Sequence, residues 1–256
     1  GHQINGTELV NGLQDSLPEN VLITGGLAGD GTNFNETLVW HNEELELGQI
    51  VLIGFYGEKL SLGHGCIGGW DAFGPDRTIT KSASNVLYEL DNLPALALYK
   101  KYLGPHADAL PASALLFPLV LKIDNKRMTR TILNINEEDG SMVFAGDVPE
   151  GATVQLMRAN TSSLIDGAET AAEHALSKTP TNFSNGLAML ISCVGRRIVL
   201  GKHCEEELEV AKDILGEKWA YTGFYSYGEL SPMVNSDACA LHNQTMTITT
   251  ICETDE

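Results

Sequence analysis

The chain has 256 residues, 34 acidic against 16 basic, for a formal net charge of −18, with 43% hydrophobic and 20% charged side chains. At ~100–200 residues per domain this is one large domain or two small ones, long enough to bury a core unaided, and the composition excludes disorder. So acidic a surface repels phosphate backbones and anionic headgroups, which sets nucleic acid and membrane aside as partners.

Short strands and turns fill the first ninety residues. Apolar runs at 21–23, 37–40 and 50–55, bounded by Gly, Asn and Asp, read as strands, and 85–90 as another that ends at Asp91-Asn92. A helix is predicted from Pro94 to about Leu103, where Gly104-Pro105 stops it. Strands follow at 119–123, 130–135 and 153–157, separated by polar turns such as Asp124-Asn125 and Asp139-Gly140. Connections this short imply antiparallel pairing, because parallel neighbours need long crossovers. Leu164, Ala168, Ala171 and Ala175 make an apolar stripe that predicts a helix over 162–178. A second helix spans 204–215, its opening Glu205-Glu206-Glu207 suited to the positive end of the helix dipole. Strands at 187–192, 220–225 and 245–252 complete the set, and the acidic end, Glu253 to Glu256, reads as frayed. The fold class is α+β: antiparallel or mixed β-sheets flanked by helices, in two α/β halves, 1–90 and 91–256.

No run approaches ~18 apolar residues, so no bilayer-spanning helix is predicted. The first residues hold no basic segment followed by an apolar run, so no signal peptide is read and a cytoplasmic location is expected. Five cysteines, Cys66, Cys193, Cys204, Cys239 and Cys252, are odd in number and scattered, the pattern of free thiols in a reducing compartment.

Four constellations could carry chemistry. Gly25 to Gly31 holds Gly25, Gly26, Gly29 and Gly31 around Asp30, after an apolar run. It reads as a tight turn or a ligand-lining loop; it is no phosphate loop, because no Gly-Lys-Ser/Thr follows and Asp30 repels phosphate. Cys193, three residues before Arg196, is either a thiol activated by the arginine or a small buried hydrophobe. A cysteine nucleophile would also need a histidine, for which His203 and His242 are available. His64-x-Cys66, His203-Cys204 and Cys239-x-x-His242 place metal-type ligands at short spacing, yet no four-ligand set forms, so no metal is predicted. The segment Gly223 to Pro232, with Tyr225, Tyr227 and Glu229, either lines a small-molecule pocket or packs as core and turn.

Taken together these segments resemble the FIST sensory-domain family. The resemblance rests on six blocks in order: Gly25 to Gly31; Gly68-Gly69-Trp70; Tyr88-Glu89-Leu90-Asp91 with Pro94-Ala95; Cys193-Val194-Gly195-Arg196; Gly223-Phe224-Tyr225 with Tyr227-Gly228-Glu229-Leu230; and Leu241-His242-Asn243-Gln244-Thr245. Residues 1–90 resemble the later part of the family's N-terminal half and 91–256 its C-terminal half. The opening of that N-terminal half has no counterpart, and Ser231 departs mildly from the family's pattern before Pro232. The resemblance implies a cytoplasmic, non-enzymatic input module that binds a small ligand. It implies an output partner too: a histidine kinase, a cyclic-di-nucleotide enzyme or a chemotaxis transducer.

The ligand site expected from these blocks is a pocket between the halves built from Gly26, Gly29, Asp30, Gly31, Trp70, Cys193, Arg196, Tyr225 and Glu229. An arginine fork at Arg196 would hold a carboxylate, Asp30 or Glu229 an ammonium group, and Trp70 and Tyr225 an apolar body, which suits an amino acid or related carboxylate. The plainer alternative is that Asp30 and Glu229 close turns while Arg196 pairs with a surface acid. Three other functions stay open. One is a cysteine-dependent enzyme, and another a protein-interaction module. The third is a haem sensor for nitric oxide with His64, His203 or His242 as axial ligand. No cofactor is otherwise implied, and Cys193 is expected to be the most reactive thiol.

Overall fold

A computed structural model describes residues 3–33, 35–123, 126–232 and 238–255. The turn expected at Asp124-Asn125 and the terminal Glu256 lie outside the described residues.

In chain order the elements are α1 (Gly6–Ser16), β1 (Gly25–Ala28), β2 (Leu38–His41), β3 (Glu44–Leu47) and β4 (Leu60–Ile67). Then come β5 (Asp71–Ala83), β6 (Val86–Leu90), β7 (Leu93–Pro94), α2 (Ala95–Leu103), β8 (Leu119–Ile123), β9 (Lys126–Arg130), β10 (Ile132–Asn136), β11 (Ser141–Phe144) and β12 (Thr153–Arg158). The last stretch is α3 (Thr161–Ser177), β13 (Gly186–Cys193), α4 (Val194–Leu200), α5 (Glu206–Leu215), β14 (Trp219–Pro232), β15 (Cys239–His242) and β16 (Met246–Glu253). Contacts divide the chain into two units, 1–69 with 161–241 and 245–256, and 70–160 with 242–244. The class is α+β, as the sequence predicts.

The first unit is built on a mixed sheet of order β1-β14-β13-β16-β4, with β15 on β14. Its β13 and β14 pair in parallel and are joined by a crossover through α4 and α5, as a parallel neighbour requires. The alanine stripe of α3 (Ala168, Ala171, Ala172, Ala175) packs with Ala188, Leu190, Met246 and Ile248 of the sheet. Glycines on β4 let this helix come close: a Cβ on Gly65 would sit 2.0 Å from the Ala171 carbonyl oxygen, and one on Gly63 2.2 Å from that of Ala175. At the far edge α1 begins on an Asn5 cap, whose Oδ1 accepts from Thr7 N (3.0 Å) and Glu8 N (3.3 Å). Its Val10 joins Leu27, Tyr227, Leu230 and Leu241 in a second small core.

The second unit is an antiparallel sheet of order β10-β11-β6-β5-β12-β8-β9, with β7 on β6. Its core gathers Leu96, Tyr99 and Leu103 of α2 with Ile79, Leu87, Leu121 and Phe144.

Three expected elements differ. The strand expected at 21–23 forms later, at Gly25–Ala28. The run at 130–135 breaks at Thr131 into β9 and β10. Residues 50–55 are not a strand at all: Leu52 is 66% and Ile53 76% exposed, and among the described residues no strand pairs with the segment. An apolar run signals burial, but a strand forms only against a partner edge. No sulfur–sulfur bond joins any of the five cysteines, and among the described residues no helix is long and apolar enough to cross a membrane.

Candidate functional site

The glycine-rich segment runs antiparallel along β14, with Gly26 opposite Glu229 and Ala28 opposite Ser226. Gly26 is required by packing, since a Cβ there would meet the Ile191 side chain at 2.8 Å. Past the strand, Asp30 organises the loop. Its Oδ2 accepts from the backbone N–H groups of Asn35 (3.0 Å) and Glu36 (2.9 Å), and the Tyr227 hydroxyl donates to Oδ1. The phenol and then the two amides hold the Asp30 carboxyl well below the usual carboxylate range. Gly31 follows in the left-handed conformation (φ 71°), where glycine is favoured.

Two of the expected charged residues are interior. Glu229 is fully buried, accepting from the Ser226 hydroxyl at Oε1 and from Thr245 N (3.2 Å) and Oγ1 (2.9 Å) at Oε2. It ties β14 to the start of β16. Arg196, on α4, is 0% exposed and binds the equally buried Glu207 of α5 through Nε (3.1 Å) and Nη2 (2.9 Å). Its remaining reach goes to the carbonyls of Leu164 (2.8 Å) and Gly68, while Ser192 Oγ donates to Glu207 at 3.0 Å. The fork therefore joins α3, α4, α5 and the end of β4 around one acid. That acid is buried, where a surface partner was the plainer expectation.

The neighbouring arginine points outward. Arg197 is exposed, and its guanidinium carbon stands 4.9 Å from the centroid of the Tyr225 ring. Tyr225 donates to Cys204 O at 3.3 Å, and burial, then the nearby Glu207 carboxylate, pushes its phenol above the ordinary range. Tyr227 lies two residues on, inside the stretch from Ser226 to Glu229 where the pairing with β1 shifts register. Gly29 packs here too: a Cβ on it would meet Tyr225 O and the Tyr227 ring at 3.2 Å. Arg197 thus stands on Tyr225 and Asp30 on Tyr227, so opposite charges meet two tyrosines that are two residues apart on β14. Sequence reasoning missed Arg197. Its signal is the helix start at Val194, since successive helical residues turn by ~100° and one of two adjacent arginines must face out.

Trp70 lies in the second unit, where its indole N–H donates to Gln244 O at 2.8 Å. Cys193 is buried, with its backbone N–H on Thr245 O (3.0 Å), and Cys204 is the one half-buried cysteine of the five, the other four being buried. Burial pushes Cys239 up to about 12 and raises Cys252. The histidines are dispersed: buried His64 lies 2.8 Å from Lys178 Nζ, His203 pairs with Glu206 at 2.5 Å on the surface, and His242 is buried in the second unit. Among the described residues no three His, Cys, Asp or Glu side chains gather as a metal site.

The glycine-rich loop, the α4 start and the β14 segment thus each hold their charged groups in bonds to neighbouring elements. Comparison with protein families gives the chain's membership: the FIST N domain matches residues 1–93 and the FIST C domain residues 95–232. The chain belongs to the FIST family, whose domains are generally sensory domains of signalling proteins. No curated protein matches it.

Proposed function

We propose that this chain is the small-ligand-binding input domain of a cytoplasmic signalling system, non-catalytic, with an amino acid or related carboxylate as its ligand. Its output would be a histidine kinase, a cyclic-di-nucleotide enzyme or a chemotaxis transducer. One observation carries the ligand class: Tyr225 and Tyr227 of β14 are met by exposed Arg197 and by the Asp30 carboxylate respectively. An arginine fork suits a carboxylate in two charge-assisted hydrogen bonds. Asp30, with its carboxyl kept ionised by three donors, suits an ammonium group. Tyr225 offers the apolar surface between them. Arg196, spent on Glu207 and two carbonyls, serves this reading as the support of α4.

The test is a thermal-shift titration with the common amino acids. A specific ligand at ~100 times its Kd adds ~2.7 kcal/mol of stability. Arg197→Ala is expected to abolish that shift while leaving the unliganded melting temperature within a degree or two. An undiminished shift in Arg197→Ala would remove the carboxylate site from this face.

A further inference from the structure

Among the described residues sixteen large hydrophobic side chains are exposed, and ten of them lie between Leu38 and Tyr56. Scattered apolar residues are ordinary on a surface, whereas a concentration of them marks an interaction site. The hairpin β2–β3 supplies four of the ten. Its register sets Leu38 opposite Leu47 and Trp40 opposite Leu45, so these four share one face, and they are between 40% and 69% exposed. The Trp40 indole N–H is already donated to Asn42 O (2.5 Å), which leaves its ring apolar toward solvent. The hairpin is a sheet of its own. Among the described residues no further strand borders it, and two strands alone are marginally stable in water.

The opposite face of the hairpin is acidic. Val39 pairs with Glu46 and His41 with Glu44, and exposed Glu36, Glu43 and Glu58 stand before, within and after the stretch. No lysine or arginine occurs from Glu36 to Glu58. Among the described residues none of the five carboxylates makes an ion pair, and Glu46 accepts from the neutral Gln49 amide. These charges decide between occupants. A second copy adding its own β3 antiparallel, with the leucines kept on the apolar face, would set glutamates against glutamates, and like charges directly opposite are destabilising. An anionic membrane surface is repelled by the same carboxylates.

We propose that the free edge of β3 takes up an extended segment of a partner protein in which apolar residues alternate with lysine or arginine. Added as a third strand, the segment is held by main-chain hydrogen bonds. Alternation puts its apolar side chains beside Leu45 and Leu47 and its cations beside Glu44 and Glu46. This surface shares no residue with the amino-acid site above and does not depend on that reading.

The experiment titrates the full chain with a short amidated peptide of alternating leucine and lysine, and with a peptide of the same composition in which leucines and lysines form blocks. Calorimetry and tryptophan emission follow binding. The alternating peptide is expected to bind saturably, with a blue shift that Trp40→Phe removes. Its affinity should fall at least ~10-fold from ~0.02 M to ~0.5 M salt. Leu45→Ser combined with Leu47→Ser leaves the net charge at −18 and should weaken binding at least ~10-fold. Glu44→Gln combined with Glu46→Gln, at exposed positions, should weaken it ~3–10-fold at low salt and little at high salt, so a poorly folded first variant does not spare the idea. Block peptide bound as tightly as the alternating one, or undiminished binding in the serine variant, would reduce the attraction to bulk charge and overturn the proposal. So would the absence of saturable binding, or dimerisation of the chain alone at low salt with Trp40 buried, which would give the edge to a second copy.

Discussion

Arg196 and Glu207 show how one buried pair can organise three helices. Neither side chain is exposed, and the arginine also satisfies the Leu164 and Gly68 carbonyls. Removing one partner of such a pair leaves an uncompensated charge in the interior, which costs ~3–5 kcal/mol. Glu207→Ala is therefore expected to lose about that much in urea unfolding, and Arg196→Lys to recover little of a comparable loss, because an ammonium cannot span the same acceptors. A loss below ~1 kcal/mol would show that water reaches the pair. Asp30 works at the surface and titrates. Its folded pKa lies below the unfolded value, so its contribution is complete above about pH 4 and is lost as pH falls through the lower, folded value. The melting temperature of Asp30→Asn should accordingly lie below that of the native chain at pH 7, and the gap should close toward pH 2. A gap that stays constant across that range would mean the loop is held by other bonds.

At the scale of elements, the approach of α3 to β4 depends on having no side chain at two alternate strand positions. Gly65→Ala must push its new methyl against the backbone of Ala171, and overpacking of this kind costs ~1–3 kcal/mol. Gly12, in the exposed middle of α1, has nothing within 4 Å of the corresponding position, and Gly12→Ala should raise stability by ~0.5–1 kcal/mol. Equal effects in the two variants would refute the packing argument. Helices α2, α3 and α5 are legible in the sequence because their stripes and stops are local: Gly104 after Leu103, Gly216 after Leu215, alanines at helical spacing. The strands β6, β8, β12, β13 and β16 are legible for the same reason. What is not legible depends on distant partners. The apolar run at 50–55 has every local mark of a strand, but pairing is a property of two segments. The register break at Gln155 follows from β5 and β12 meeting across some eighty residues of chain. Among the site residues the glycine loop and β14 lie side by side, with Gly26 opposite Glu229 and Tyr227 donating to Asp30. The choice between Arg196 and Arg197 turned on a helix start that charge alone does not reveal.

The whole molecule carries a net charge of −18 over 256 residues. Like charge keeps copies apart at low ionic strength. Against it stands the stretch from Gln49 to Gly57, with no charged residue, apolar side chains facing solvent and no strand beside it among the described residues. Uncharged, β-prone segments with unpaired backbone are templates for intermolecular pairing. The two tendencies respond oppositely to salt: the Debye length falls from ~30 Å at ~0.01 M to ~3 Å at ~1 M, which removes the repulsion while leaving backbone pairing and apolar contact intact. Self-association measured by sedimentation should therefore rise with salt. Ile53→Lys places a charge at a position 76% exposed, so it should suppress that rise without moving the melting temperature by more than about a degree. If the substituted chain associates as readily as the native one at high salt, the contact lies elsewhere on the acidic surface and the segment is a passive loop.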